Sequence, residues 1–199
     1  FNLAGCAQQD LYEPPGAPFQ RVGRVPLPSE NEGVAALDRF AFVAGGQAGL
    51  HAIDFSDPSH PVLLQTLDTT KYSESVEVVR RLNGGILQDF AHVVEGTEGV
   101  TSYDITDPAA MIDFGTGTTA VFGNRIAIVE PADPDSTYAV FLAESWKGVR
   151  LFTSSALNPG TLEYNAVFST TNGYAEGIVL KDGYAYVADD QMGVAVLDA

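Results

Sequence analysis

The segment FAFVAGGQAGLHAIDFSDP, residues 40–58, decides the fold of this chain. A short apolar run over residues 40–44 predicts a β-strand, the Gly-rich stretch 45–49 predicts a turn, and residues 50–55 predict a second strand. The Asp-Pro pair that follows ends the second strand, because proline has no backbone N–H to donate to a sheet. The segment is therefore predicted to form a β-hairpin with a defined end.

The hairpin recurs along the chain at a nearly constant spacing. A glycine closes each turn, at Gly49, Gly99, Gly148 and Gly193, which gives steps of 50, 49 and 45 residues. The third copy is the loosest, since it lacks the aspartate that the other copies carry near the strand end. A fixed period of this length indicates a repeat architecture. The further copies cover residues 90–108, 138–159 and 184–199.

Each copy provides four short strands. A lead-in strand precedes every hairpin and a further strand completes each unit, which for the last copy is expected to be residues 19–27. Four antiparallel strands per unit at this period are typical of a β-propeller blade. No stretch has a helical period, so we expect an all-β propeller built of four-stranded antiparallel blades, with four blades present. The blade cores are predicted at about residues 32–67, 74–122, 124–168 and 176–199.

The repeated motif resembles a known family. The pattern aromatic-Ala-x-Val-Ala, followed by Gly-Leu-x-x-Ile-Asp-x-Ser-Asp-Pro, is similar to the LVIVD-repeat propellers of bacterial and archaeal surface proteins. The resemblance covers about residues 18–199. It implies a propeller fold and display outside the cell. It implies no single reaction, and it supplies no catalytic motif to carry over to this chain.

Two arrangements of the blades stay open at this point. Residues 19–27 match the strand that follows each Asp-Pro stop, so we expect them to pair with the last blade and to close the ring. The chain stops at Asp198-Ala199, where Ser-Asp-Pro is expected, which favours a truncated arc of a larger propeller over a closed ring of four blades. In either arrangement residues 19–199 form the propeller domain.

Composition limits the possible partners. The chain of 199 residues has 10 Lys and Arg residues against 26 Asp and Glu residues, for a formal net charge of −16. Such a surface repels nucleic acid phosphates and anionic lipid headgroups, so we expect no nucleic-acid partner. The single cysteine, Cys6, excludes an internal disulfide.

The N-terminus predicts the location of the protein. Leu3-Ala4-Gly5-Cys6 resembles the lipobox that ends a bacterial lipoprotein signal peptide, so residues 1–6 are interpreted as the remainder of that signal. Residues 7–18 are rich in proline and are predicted to be a tether. We therefore expect a protein of the cell envelope, attached to a bacterial membrane by acyl chains on Cys6 alone.

Three glutamates are the candidate metal ligands. Glu32, Glu74 and Glu176 occupy the same slot before the first strand of their blades, which places them near one mouth of the central channel. Carboxylates gathered there would suit Ca²⁺ or another hard cation, although Asn124 replaces the acid in the third copy. The alternative is three solvent-exposed acids with no ligand.

Other polar residues carry weaker signals. The three histidines show no metal-ligand spacing. The aspartates near the strand ends are expected to accept hydrogen bonds from backbone N–H groups of the following turn. These aspartates are Asp54, Asp57, Asp104, Asp107 and Asp198.

Two large side chains are candidate contacts for a partner. Trp146 and Met192 lie on the hairpin turns of the third and fourth copies, where an exposed side chain would anchor a ligand. Each residue could instead pack on a neighbouring blade.

Three functional hypotheses follow. The first is a non-catalytic binding or scaffold module that contacts a protein or carbohydrate outside the cell and needs no cofactor. The second is a metal-dependent propeller enzyme, a hydrolase or lyase, which uses the carboxylates at the channel mouth. The third is a segment of blades within a larger adhesin.

Overall fold

The computed structural model describes residues 20–69, 71–83, 85–117, 122–129, 133, 135–155, 158, 160–169 and 173–199. These residues form strands almost throughout, with one short 3-10 turn at Asp190–Met192. The strands build four antiparallel sheets in chain order, arranged as the blades of a four-bladed propeller. The predicted all-β propeller is therefore confirmed.

The first two blades have four strands each. Blade 1 consists of β1 (Gly33–Leu37), β2 (Phe40–Ala44), β3 (Leu50–Asp54) and β4 (Val62–Leu67). Blade 2 consists of β5 (Ser75–Asn83), β6 (Ile86–Val94), β7 (Val100–Asp104) and β8 (Ile112–Gly117).

The last two blades differ in strand number. Blade 3 consists of β9 (Arg125–Val129), β10 (Tyr138–Glu144), β11 (Gly148–Ser154) and β12 (Glu163–Phe168). Blade 4 has three strands among the described residues: β13 (Ala175–Lys181), β14 (Tyr184–Asp189) and β15 (Val194–Asp198).

Alternation along the strands gives every blade two apolar faces. In β2, Phe40 and Phe42 point to one face while Ala41 and Val43 point to the other, as expected for a period of two. We call the face that packs on the next blade in the chain the front of a blade, and the opposite face its back. Both faces are apolar because a propeller blade packs against a neighbour on each side.

The hydrophobic core lies at the joints between consecutive blades. Phe42 of blade 1 packs with Tyr103 of blade 2 in the first cluster, and similar clusters join blade 2 to blade 3 and blade 3 to blade 4. Phe42 is 1% exposed. Burial of one such side chain stabilises the fold by about 1.5–3 kcal/mol. The joints therefore hold the blades together.

The aspartates near the strand ends bond the turns as predicted in the first two copies. Asp54 Oδ1 accepts a hydrogen bond of 2.7 Å from the backbone N–H of Ser56, and Asp104 Oδ1 accepts one of 2.9 Å from Thr106. Hydrogen bonds from Ser59 and His60 lower the pKa of Asp57 to about 2. These carboxylates stabilise the turn that ends the hairpin.

The segment before blade 1 differs from the prediction. Residues 20–27 form no strand, and β15 pairs only with β14 among the described residues, so this stretch does not complete blade 4. The segment packs on blade 1 instead. Its backbone at Gly23 is so close to blade 1 that a Cβ added there would lie 2.1 Å from the Pro58 carbonyl oxygen. Pro26 and Pro28 also remove two N–H donors that a paired strand would use.

Candidate functional site

One end of the propeller collects the hairpin turns of all four blades. The backbone N–H of Glu32 donates to the carbonyl of Ala44 at 2.8 Å, and Glu74 and Asn124 make the same bond in blades 2 and 3. These bonds hold the start of each first strand beside the turn that joins the second and third strands. We call this end the mouth. Its turns cover residues 45–49, 95–99, 144–148 and 189–193.

A cavity of about 240 Å³ lies at the centre of the ring. The first strands of all four blades line it, through Val34, Val76, Ile126 and Ile178. Arg125 also lines the cavity, and its Nη1 donates to the carbonyls of Glu74 at 2.9 Å and Glu32 at 3.4 Å. The guanidinium therefore links blade 3 to blades 1 and 2 near the axis of the propeller.

Two of the three candidate metal ligands lie beside this arginine. Tyr72 donates its hydroxyl to Glu32 Oε1 at 2.7 Å and also lies 3.0 Å from Glu30 Oε2, which raises the pKa of Tyr72. Burial raises the pKa of Glu74, the charge of Glu32 adds to this effect, and Arg125 opposes it.

The third candidate ligand, Glu176, is solvent-exposed. No group of three acidic, histidine or cysteine side chains suited to a metal ion occurs in the part of the chain that the structure describes. A role of these glutamates in cation binding stays a prediction.

In three of the four blades, an acidic residue that the sequence alone did not single out occupies the position four residues before the closing glycine. In blade 3 this residue is Glu144, which is fully buried and accepts hydrogen bonds from Arg150 Nε at 2.7 Å and Nη2 at 3.0 Å. In blade 2 it is Glu95, which is 1% exposed. Tyr103 donates to Glu95 at 2.6 Å and Thr101 donates to it at 2.7 Å.

The other two blades carry variants of the same arrangement. In blade 1 the position is Gly45, and the ring of His51 fills the space that a side chain would need, since a Cβ on Gly45 would lie 2.2 Å from Nε2. In blade 4 it is Asp189, whose Oδ1 is buried without a hydrogen-bond partner among the described residues. Alignment of the copies on their closing glycines reveals this position, with its partner six residues later.

A buried polar cluster joins blades 2 and 3. His92 Nδ1 lies 2.8 Å from Ser102 Oγ, and Nε2 lies 2.7 Å from the Tyr138 hydroxyl. Burial lowers the pKa of His92 to about 3, so its ring is neutral at physiological pH. The spacing is that of a serine and its base, but His92 is 0% and Ser102 is 1% exposed, so no substrate reaches them. The cluster is structural.

The candidate partner contacts lie at the mouth. Trp146 is 57% exposed, and its ring centroid is 6.4 Å from that of Tyr174, in the segment that enters blade 4. Met192 is 58% exposed on the turn of blade 4. Both side chains therefore present apolar surface to solvent. Cys6 lies outside the described residues. The single described helical segment is too short to cross a bilayer.

The comparisons with known proteins agree with this fold. The LVIVD repeat family matches residues 30–69 and 172–199. These segments contain the hairpins of blades 1 and 4 and make up less than half of the chain, whereas the resemblance predicts repeats over about residues 18–199. The chain is therefore a four-bladed β-propeller whose first and last blades match the LVIVD repeat. No curated protein matches the sequence.

Solved structures of low sequence identity share the fold. The computationally designed Ika4 protein matches with a TM-score of 0.62 and 10% identity over 90% of this chain and 98% of its own. The designed Ika8 protein has a TM-score of 0.58 and 9% identity, over 85% of this chain and 46% of its own.

A glycoside hydrolase family 43 arabinoxylan arabinofuranohydrolase from Bacillus subtilis, in complex with cellotetraose, has a TM-score of 0.52 and 10% identity. That match covers 86% of this chain and 46% of the hydrolase. The chain thus spans less than half the length of Ika8 and of the hydrolase. At these identities the likeness concerns the fold alone.

Proposed function

We propose that this propeller is a non-catalytic binding module of the cell envelope, and that it contacts its partner through the turns at the mouth. The observation that carries the proposal is the exposure of Trp146, which is 57% accessible beside Tyr174. Large aromatic side chains contribute much of the energy at binding surfaces when a partner buries them. Met192, on the turn of blade 4, adds a second apolar contact.

The polar groups of the mouth support a binding role over a catalytic one. Glu95 and Glu144 are buried and accept hydrogen bonds from their own blades. Arg125 is bonded to backbone carbonyls. Groups engaged in this way stabilise the turns and hold the exposed side chains in position.

The charge of the chain selects the kind of partner. With a formal net charge of −16, the surface repels polyanions and favours neutral or basic surfaces. A neutral carbohydrate or a protein outside the cell fits this requirement. Attachment to the membrane is through lipid on Cys6, with residues 7–18 as the tether.

Tryptophan fluorescence tests the binding proposal directly. Trp146 is the single tryptophan of the chain, so its emission reports on the mouth alone. Titration with neutral oligosaccharides and with isolated envelope proteins is expected to shift the emission to shorter wavelength for the true partner class. Calorimetry then compares Trp146→Ala, which is expected to lose binding, with Tyr184→Ala, which removes an exposed aromatic at the end of β14 away from the mouth and is expected to retain it. Equal affinities of the two variants contradict the proposal.

Metabolic labelling tests the anchor. The chain is produced in bacteria behind a signal region that ends in Leu3-Ala4-Gly5-Cys6, and labelled palmitate is supplied. Label is expected in the native chain and absent from Cys6→Ser. Equal labelling of both would show that the lipid is attached elsewhere, and no label on either would remove the anchor.

A further inference from the structure

The segments that enter blades 2 and 4 follow the same course at the mouth. Their sequences are KYSE, residues 71–74, and GYAE, residues 173–176. The third residue of each segment forms a β-bridge to the turn of the preceding blade. These bridges join Ser73 to Gly46 and Ala175 to Ser145. Alignment on the bridges shows that Gly173 of blade 4 occupies the position that Lys71 has in blade 2.

The lysine of blade 2 contacts the buried acid of that blade. Lys71 Nζ lies 3.6 Å from Glu95 Oε2, and the two side chains are 31% and 1% exposed. Because the lysine is partly exposed, its ammonium group reaches the acid from the surface of the mouth. In blade 3 the corresponding acid, Glu144, takes its cation from Arg150 instead. Blades 2 and 3 thus pair the acid at this position with a positive charge.

Blade 4 keeps the acid but has neither cation. Asp189 is 6% exposed, and its Oδ1 is buried without a hydrogen-bond partner among the described residues. Ala195 stands where blade 3 has Arg150, and residues 169–174 of the entering segment contain no charged side chain. A carboxylate withdrawn from water without a partner is unfavourable, so Asp189 would gain from a cation supplied from outside the chain.

This carboxylate lies beside the exposed aromatic pair of the mouth. A Cβ on Gly173 would overlap both carboxylate oxygens of Asp189, so the carboxylate lies against the backbone just before Tyr174. The ring of Tyr174 is 6.4 Å from that of Trp146, and the two planes are inclined at 47°. A cation within about 6 Å of the face of such a ring is attracted by its quadrupole. Aromatic surface and an acid without a cation therefore adjoin at one place.

The turns of the mouth add charge of the same sign. The four turns, as defined above, contain five acids and one lysine. The acids are Glu95, Glu98, Glu144, Asp189 and Asp190, and the lysine is Lys147. A surface with this balance attracts basic groups and repels acidic ones.

We propose that the mouth binds a basic side chain, lysine or arginine, of a protein partner. Its charged end takes the place beside Asp189 that Lys71 takes beside Glu95, and its aliphatic stem lies along Trp146 and Tyr174. The inference rests on the proposed function, because it concerns the same surface. It selects a protein over a neutral carbohydrate, since a neutral sugar leaves the charge of Asp189 uncompensated.

Titration of Trp146 emission with matched peptides tests the need for a cation. Capped pentapeptides with a central arginine or lysine are compared with peptides that carry citrulline or acetyl-lysine at the same place, which are neutral groups of similar shape. The basic peptides are expected to bind at least about tenfold more tightly, as for other charge pairs shielded from water. Equal affinity within both pairs overturns the inference, as does the absence of any binding by the basic peptides.

Three variants locate the charge that the peptides recognise. Asp189→Asn is expected to weaken binding of the basic peptides at least about tenfold. Asp182→Asn also removes one acid, but from the turn at the opposite end of blade 4, and is expected to bind like the native chain. Ala195→Arg restores the cation that Arg150 provides in blade 3 and is expected to weaken binding without loss of the acid.

Circular dichroism verifies that each variant retains its strands. If Asp189→Asn does not fold, Ala195→Arg alone decides the question. Native affinity in Ala195→Arg, or in a folded Asp189→Asn, overturns the inference.

The outcomes also separate this inference from the proposed function. Neutral oligosaccharides that shift the emission of Trp146 equally in the native chain and in Asp189→Asn, with no response to basic peptides, would refute the basic ligand and leave the binding role of the mouth in place. No response to any peptide, oligosaccharide or envelope protein would contradict both.

Discussion

The ion pair between Arg150 and Glu144 is the sharpest test of the energetics at the mouth. The two side chains make two charge-assisted hydrogen bonds, of 2.7 and 3.0 Å, and their exposed fractions are 13% and 0%. Removal of one partner from a buried pair leaves an uncompensated charge and costs about 3–5 kcal/mol. We therefore expect Arg150→Met to lower the free energy of unfolding by about this amount, a large part of the ~5–15 kcal/mol typical of a folded domain.

The reverse change is expected to cost less. After Glu144→Gln, the guanidinium of Arg150 keeps its contact with the ring of Tyr164, 5.1 Å from the centroid. Loss of hydrogen bonds to a charged group then costs about 1.5–3 kcal/mol. The double variant is expected to be more stable than Arg150→Met alone, because it no longer buries a carboxylate that has lost the two hydrogen bonds from Arg150.

Denaturant unfolding followed by the emission of Trp146 measures all three variants. Trp146 lies two residues from Glu144, so it reports on the same turn. Circular dichroism of the strands checks that the two signals change together. Equal losses for Arg150→Met and Glu144→Gln, or a double variant less stable than Arg150→Met, would refute the argument that charge burial dominates this site.

Three further outcomes are expected from single substitutions. The pKa of His92 is lowered to about 3, so the folded state excludes a proton that the unfolded chain binds below its ordinary pKa. The free energy of unfolding is therefore expected to decrease as the pH is lowered from about 6.5 to 3, by up to about 1.4 kcal/mol per pH unit. His92→Phe is expected to remove this slope in unfolding measurements at several pH values. Parallel stability curves for the native chain and His92→Phe would contradict the prediction. Gly49→Ala is expected to destabilise the chain by about 1–3 kcal/mol more than Gly193→Ala. Both glycines have φ near 90°, but only at Gly49 would the added Cβ lie 2.2 Å from a backbone carbonyl oxygen. Equal decreases in melting temperature would show that β4 moves away from the new methyl group at no cost. Arg125→Met is expected to raise the pKa of Glu74 further, since the guanidinium opposes burial there, and a carbon-13 NMR titration with no change would disprove that coupling.

The repeat made most of the fold predictable from the sequence. The closing glycines have φ between 88° and 118°, which favours glycine and explains why the turns at Gly49, Gly99, Gly148 and Gly193 are conspicuous. The alternation of side chains then sets the two faces of each blade. Local signals of this kind survive divergence because each acts within a single hairpin.

The contacts between blades were less predictable. The sequence does not predict the role of Arg125, because its partners are backbone carbonyls of blades 1 and 2, which no side-chain motif indicates. Residues 19–27 matched an outer strand by pattern, but strand formation needs a neighbour with free hydrogen-bonding groups. The described part of that stretch lies on blade 1 without one. Such features depend on packing angles that a period cannot supply.

The uniformity of the joints bears on how such chains change in length. Because a buried hydrophobic cluster of the same kind connects each blade to the next, a gene duplication of roughly one period would add a blade whose two sides already fit its neighbours. A deletion of one period would leave matching surfaces in contact for the same reason. Selection can therefore alter the size of the ring by whole units, while the loops at the mouth diverge independently in each unit.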